Sequence, residues 1–248
     1  MDDKSLSHVK AIIQESANVV AFSGAGLSAD SGIPTYRGAG GLWNEYDPDK
    51  YANINYFLHD PSYYWRFFRD VRFPILKEAT PNQGHLALAY MESQGNCDAI
   101  ITQNIDGLHF EAGLQRVIEL HGNTRRFYCM ECSNVLTLDE AHQLLSHELP
   151  PKCPCGGLIR PDVVFFGESL PAEALEEASR AALECDVFLA VGSSLVVQPA
   201  AQLPLMAKQS GAQLIIINIG ETPLDDMADF VFDENASAIL SHLADSVE

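Results

Sequence analysis

The sequence predicts an α/β fold, a mostly parallel sheet with helices on both faces, broken by two smaller insertions. Three observations carry that expectation. Short apolar runs alternate with helical periodicity along most of the 248 residues, the pattern of strand–helix–strand units with parallel strands. Gly24-Ala25-Gly26-Leu27-Ser28-Ala29 directly follows one apolar run, as the Gly-rich turn of a dinucleotide-binding unit does. Cys129, Cys132, Cys153 and Cys155 form two close pairs in mid-chain, the spacing of a metal ribbon. The expected architecture is therefore Rossmann-like, with a small inserted zinc ribbon and a helical subdomain.

Leu6, Val9, Ile12 and Ile13 form the apolar stripe of a first helix, and residues 19–22 the first strand. Further strands are expected at 99–102, 117–120, 163–166, 187–191, 214–217 and 230–232. Helical patterns at 85–94, 171–183, 200–209 and 236–244 separate most of them. Two stretches break this rhythm. Residues 37–79 are rich in aromatics and short helical signals, and 124–161 is a Cys- and Pro-containing excursion. Segments 1–36, 80–123 and 162–248 should build the sheet domain, 37–79 a loop with a helical insertion, and 124–161 the zinc module.

With 47% hydrophobic side chains the chain can bury one sizeable core and a small subdomain. Its net charge of -19 repels phosphate backbones and anionic lipid and attracts Lys- or Arg-rich polypeptides. Nucleic acid and membrane are thus disfavoured as partners. No apolar run approaches the roughly 20 residues of a membrane span. Met1-Asp2-Asp3-Lys4 leads straight into a helical pattern, unlike a secretory signal, so a cytoplasmic location is expected. Thiols stay reduced there, which favours metal over disulfide for the close cysteines.

Four thiolates close a zinc tetrahedron and leave no position for a catalytic water, so the metal is expected to be structural. Cys97 and Cys185 read as ordinary small buried residues. The Gly-rich turn should seat a pyrophosphate on a helix N-terminus. A dehydrogenase would also place an acid at the end of the second strand, about 20 residues on. That region here is Gly40-Gly41-Leu42-Trp43-Asn44-Glu45, which is no strand, so hydride-transfer chemistry is disfavoured.

Polar clusters follow four strand ends, where a parallel sheet concentrates function: Thr102-Gln103-Asn104-Ile105-Asp106, His121-Gly122-Asn123, Gly192-Ser193-Ser194 and Asn218-Ile219-Gly220. His121 is placed to act as a general base near neutral pH. His8, His59, His142, His147 and His242 read as surface or helix-face residues.

These motifs, with Gly32-Ile33-Pro34-Thr35-Tyr36-Arg37-Gly38 and Phe165-Phe166-Gly167-Glu168, together resemble the sirtuin family of NAD-dependent protein deacylases, in order from about residue 17 to 240. The resemblance implies that NAD is consumed rather than reduced. The acyl oxygen of a modified lysine attacks C1′ of the nicotinamide ribose, nicotinamide leaves, and the acyl group ends on ADP-ribose. It further implies His121 as the general base and Asn104 as the holder of the ribose and an ordered water. Asp106 would lie at the nicotinamide carboxamide, and Gln103 and Ile105 would be further cofactor-binding residues. Gly24, Ala25, Gly26, Ser28, Pro34, Tyr36, Arg37 and Trp43 would belong to the NAD turn and its closing loop. Ser193, Ser194, Asn218 and Gly220 would meet the adenosine ribose, and Gly192, Ile219 and Ala236 would be further cofactor-binding residues. Val164, Phe165, Phe166, Gly167 and Glu168 would pair with the acyl-lysine peptide through the backbone.

Departures from the family pattern bear on the acyl group. Tyr36 replaces the usual Phe and Ser193 the usual Thr. Ala39, Phe68 and Val71 would line the acyl pocket. Members accepting succinyl or malonyl groups carry a Tyr and an Arg where this chain has Phe68 and Val71. Arg69 and Arg72 sit one position away and face elsewhere on a regular helix. Uncharged acyl groups, acetyl first, are therefore expected, with acidic ones the alternative. The expected partners are acyl-lysine proteins or peptides in basic contexts, the expected state a monomer. A mono-ADP-ribosyltransferase using the same NAD site is the alternative class.

Overall fold

The computed structural model describes residues 3–38 and 40–244. Among these residues nine strands form two sheets: β1 (Val19–Ser23), β2 (Ala99–Thr102), β3 (Val117–Glu119), β4 (Gly122–Cys129), β5 (Val135–Thr137), β6 (Ile159–Val163), β7 (Val187–Val191), β8 (Gln213–Ile217) and β9 (Phe230–Phe232). The larger sheet runs β3-β2-β1-β7-β8-β9, every neighbouring pair parallel. This is the doubly wound order, with its reversal between β1 and β7, where such sheets open a crevice for ligands.

The helices in chain order are α1 (Asp3–Glu15), α2 (Pro48–Tyr51), α3 (Ile54–His59), α4 (Ser62–Phe67), α5 (Phe73–Glu78), α6 (Gln83–Ser93), α7 (Leu108–Glu111), α8 (Leu138–Leu145), α9 (Ala172–Glu184), α10 (Leu203–Gln209) and α11 (Ala236–Leu243). Successive strand residues point to opposite faces, and both faces are covered, which is why the central strands are apolar except at their ends, Ser23, Thr102 and Gln213. Val19 and Ala21 meet Val9 and Ile13 of α1, Leu88 and Met91 of α6 and Ile239 of α11. Val20 and Phe22 meet Ala178 and Ala182 of α9 and Leu203 and Ala207 of α10. Each large side chain buried this way contributes about 1.5–3 kcal/mol relative to exposure.

The second sheet, β5-β4-β6, is antiparallel. It shares one core with the aromatic helices of the insertion: Phe57, Tyr64, Trp65 and Phe68 pack with Phe127, Ile159 and Phe165. The cysteine ribbon and the helical insertion therefore brace one another.

Two expected elements differ. Residues 163–166 are not a strand of the large sheet: Val163 ends β6, and Val164 N then donates to His121 O and Phe166 N to Ala52 O. The run is apolar because Phe165 enters the aromatic core, not because a parallel ladder buries it. The Gly-rich turn opens no α-helix either. A single 3₁₀ turn, Ala29–Ser31, comes next and stops at the left-handed Gly32, so no helix N-terminus faces the crevice there.

Candidate active site

The crevice begins where two backbones touch. Gly24 N donates to Val191 O at 3.0 Å, and Gly26 N to Gly192 O at 2.8 Å. A Cβ on Gly24 would lie 2.7 Å from Gly192 O, and one on Gly192, itself at φ 60°, only 2.3 Å from Leu27 N. Glycine is required at both positions to let the loops after β1 and β7 meet.

The loop leaving β2 is fixed on all sides. Asn104 is buried; its amide donates to Gly24 O (3.0 Å) and Ser28 Oγ (3.1 Å). Ser28 Oγ donates to Asp106 Oδ2 at 2.8 Å, and Leu108 N to Asp106 Oδ1 at 2.9 Å. Burial raises the Asp106 pKa, against those two hydrogen bonds and the Arg125 charge. Ile105 O accepts from Thr124 N at 2.7 Å, and Gln103 Nε2 donates to Ser193 Oγ at 2.8 Å.

His121 closes this arrangement from the end of β3. Its Nδ1 lies 3.0 Å from Gln103 O, and because a carbonyl only accepts, that nitrogen carries the proton. Nε2 is thereby left with its lone pair. Burial holds the His121 pKa below the usual 6.5, opposed by the bond to Gln103, so the ring is neutral at pH 7.

Ala25, Ser28, Pro34, Tyr36, Val71, Asn104, Ile105 and Asp106 line one pocket, with Ile33, Leu42, Arg72, Ile75, Leu76 and Thr124. The sequence motifs point to the first eight of these as one site; helical periodicity turns Arg72 away from it. Phe68, expected beside Val71, is instead fully buried between Trp65 and Phe127. Ala39 lies outside the described residues. Trp43 packs tilted against Tyr36, ring centres 5.1 Å apart, and Arg37 is exposed.

The remaining expected residues lie around this centre. Ser193 is buried and accepts from Gln103, while Ser194 and Ile219 are exposed. Asn218 holds its own turn by donating to Ile219 O and Gly220 O, and Ala236 is the buried first residue of α11. In the stretch 164–168, the backbone N–H groups of Val164, Phe165, Phe166 and Glu168 are all engaged. Among the described residues Val164 O and Gly167 N are not. Glu168 does not face outward freely: its carboxylate grips Arg160 through two bonds, 3.0 and 2.9 Å, and accepts from Phe165 N.

The four cysteines of the ribbon converge. Cys129–Cys155 and Cys132–Cys155 sulfurs are 3.5 Å apart and Cys132–Cys153 3.7 Å, all four within 4.8 Å. Zinc–sulfur bonds of about 2.3 Å in a tetrahedron set sulfurs about 3.8 Å apart, so the donor set fits zinc. Cys97 and Cys185 are buried and separate from it.

Two histidines that the sequence did not single out lie beneath the site. His85 Nδ1 accepts from Asn82 N, so its proton sits on Nε2. His109 Nε2 meets Ser23 Oγ at 2.7 Å, and Ser23 in turn donates to Thr102 Oγ1, which also accepts from Asn104 N. The ring nitrogens left over, His85 Nε2 and His109 Nδ1, are buried without a partner, the rings 5.1 Å apart. Burial holds His85 at about 4 and His109 at about 3. Unfolded, both protonate below about 6.5 while the folded rings stay neutral. Stability present above pH 6.5 is therefore lost as pH falls toward 4, at about 1.4 kcal/mol per pH unit for each ring. A His109→Phe variant is expected to lose stability less steeply over that range in urea titrations. An unchanged slope would refute the assignment.

A doubly wound sheet with a Gly-lined switch point, a base at a neighbouring strand end and a four-cysteine ribbon defines a dinucleotide-dependent enzyme with a structural metal module. Residues 24–199 match the model of the Sir2 family, and the chain belongs to that family. An "NAD-dependent protein deacetylase" of Sulfurisphaera tokodaii is 48% identical over 238 residues, covering 96% of this chain and 94% of that protein. An "NAD-dependent protein deacylase" of Aquifex aeolicus is 46% identical, covering 93% and 95%. A solved Sir2 structure of a histidine-to-alanine variant with a deacetylated p53 peptide and 3′-O-acetyl-ADP-ribose has a TM-score of 0.92 at 39% identity, with 97% of each chain covered. A Sir2 structure with a propionylated peptide has a TM-score of 0.89 at 38% identity, covering 99% of this chain and 98% of that one.

Proposed function

We propose that this chain is an NAD-dependent protein-lysine deacylase, moving an acyl group from lysine to ADP-ribose with release of nicotinamide. The observation that carries the reading is His121 Nε2, deprotonated at neutral pH and held by Gln103 O beside the loop of Asn104 and Asp106. Family membership and relatives named for NAD-dependent deacetylation or deacylation support it.

NAD supplies a ribose carbon that becomes electrophilic as nicotinamide departs. The protein supplies the rest. His121 removes a proton from a ribose hydroxyl so that its oxygen can attack the acyl carbon. The Asn104 amide, fixed by Gly24 O and Ser28, holds the ribose, and Asp106 faces the nicotinamide. Gly24, Ala25, Gly26, Pro34, Tyr36, Arg37 and Trp43 enclose the cofactor, and Ser193, Ser194, Asn218, Ile219, Gly220 and Ala236 bind its adenosine half. Val164 and Gly167 pair with the substrate backbone. Zinc, held by Cys129, Cys132, Cys153 and Cys155, maintains the ribbon and takes no part in the reaction.

The substrates are acyl-lysine proteins in basic contexts, which the net charge of -19 favours, and solved relatives hold acetylated and propionylated peptides. We place the enzyme in the cytoplasm as a monomer that binds neither nucleic acid nor membrane. No described helix is long and apolar enough to cross a bilayer. The sheet domain comprises 1–36, 80–123 and 162–248, the cofactor loop and helical insertion 37–79, and the zinc module 124–161. Incubation with NAD should release nicotinamide only when an acetyl-lysine peptide is present. Equal release with the unmodified peptide would contradict this reading.

A further inference from the structure

Two carbonyls of the loop after Asn104 are held by adjacent residues of β4. Ile105 O accepts from Thr124 N at 2.7 Å and from Thr124 Oγ1 at 2.6 Å. Asp106 O accepts from Arg125 Nε. The same guanidinium pairs through Nη1 with the Glu111 carboxylate of α7 and brings Nη2 to 3.5 Å from Leu76 O of α5. One side chain of the cysteine-ribbon sheet thus touches the loop, the helix that follows it and the helical insertion.

The backbone of β4 aims it there. Between Asn123 and Phe127 the register with β6 slips, so that the neighbours Asp162 and Pro161 oppose residues four apart on β4. A bulge of this kind redirects the side chains it carries. Asn123 closes it by accepting from Arg125 N at 2.8 Å, while its amide donates to Glu119 Oε1. On the loop side, Asp106 O belongs to the peptide that enters Gly107, a glycine at φ 78°. Glycine is conformationally permissive, so local sterics do not choose between the two orientations of that peptide. The bond from Arg125 chooses one. The contact is close: a Cβ on Gly107 would come within 2.9 Å of Arg125 Cδ.

We propose that Arg125 is a positioning residue for the cofactor: by holding the Asp106–Gly107 peptide it fixes the Asp106 carboxylate in the pocket that receives NAD. The inference rests on the deacylase reading for the identity of that cofactor. Asp106 lines the pocket with Asn104 and Ala25, its two oxygens engaged by Ser28 Oγ and Leu108 N. Those bonds anchor the side chain, and Arg125 anchors the main chain beneath it. The Arg125 charge also favours the ionised carboxylate, against the effect of burial. Arg125 does not line the pocket itself, so it acts through Asp106 and Glu111. Without the guanidinium the peptide is free to rotate at Gly107, and binding NAD then requires ordering that the wild type has already completed.

The test measures NAD affinity by calorimetry, and steady-state kinetics with an acetyl-lysine peptide, on the zinc-loaded full chain as wild type, Arg125→Met and Arg125→Lys. Methionine keeps the apolar stem and removes every donor. Both Kd and KM for NAD are expected to rise about 10-fold in Arg125→Met, the low end for a charged hydrogen bond because the side chain is partly open to solvent. Lysine keeps a charge for Glu111 and should recover part of that affinity, while KM for the peptide stays where it is. A role in folding alone would lower the active fraction, reducing kcat and leaving both NAD constants unchanged; that result overturns the proposal. If Arg125→Met does not fold, Glu111→Gln decides. Withdrawing the anion that orients the guanidinium should raise Kd for NAD about 2- to 5-fold, the worth of a partly exposed ion pair, and an unchanged Kd overturns the proposal. Absence of turnover with every acyl peptide counts instead against the deacylase reading, and calorimetry still judges Arg125. A wild type that binds no NAD overturns both.

Discussion

Replacing His121 with alanine is expected to lower kcat for an acetyl-lysine peptide by about 10²- to 10⁴-fold, the contribution of one well-placed general base. The ring is fixed through Nδ1 to Gln103 O, so truncation leaves the catalytic loop tied by its other bonds: Asn104 to Gly24 and Ser28, Ile105 to Thr124. The loss should therefore fall on kcat and leave the folded spectrum intact. The pH dependence gives a second signature. Burial lowers the His121 pKa below 6.5, so the wild type should keep its base through neutral pH and lose activity only on a limb below about 6.5. That limb should vanish in the variant. Steady-state rates across pH 5 to 8 on both proteins test it, roughly spanning the range in which imidazole titrates. A variant retaining a tenth of the wild-type kcat would remove His121 from the role of base.

Replacing Cys153 with serine is expected to unfold the three-stranded sheet. Structural zinc in small modules contributes about 10–16 kcal/mol of apparent binding energy, as much as a whole domain's net stability of about 5–15 kcal/mol. The damage should reach beyond the ribbon. β4 carries Cys129 at one end and at the other starts at Gly122, beside His121, and its Phe127 packs on Trp65 and Phe68 of the insertion. Zinc content, thermal unfolding and activity should fall together. An active, fully folded Cys153→Ser protein without zinc would show that the ribbon does not depend on metal.

The legible parts of the sequence were those where one local pattern has one physical cause. Central strands buried on both faces carry near-continuous apolar runs, and β1, β2, β7 and β8 appear within a residue of where that pattern puts them. The cysteine pairs needed only their spacing. Residues 163–166 misled because an apolar run records burial without saying what does the burying; here it is the aromatic core around Phe165. The helix expected after Gly26 fails because Gly32 and Pro34 end the turn almost as it starts, a signal present in the sequence. Arg72 was illegible for a different reason. Helical periodicity assumes 100° per residue, and a π-turn breaks that assumption without a marker in Phe68-Arg69-Asp70-Val71-Arg72. His85 and His109 escaped notice because they act beneath the site, through Ser23 and Thr102.

The most direct measurement tracks the acetyl group itself through a single turnover with NAD, read by mass spectrometry. The account predicts nicotinamide, free-lysine peptide and acetyl-ADP-ribose in equal amounts. Free acetate with intact NAD, or ADP-ribose attached to protein while the peptide keeps its acetyl group, would contradict it.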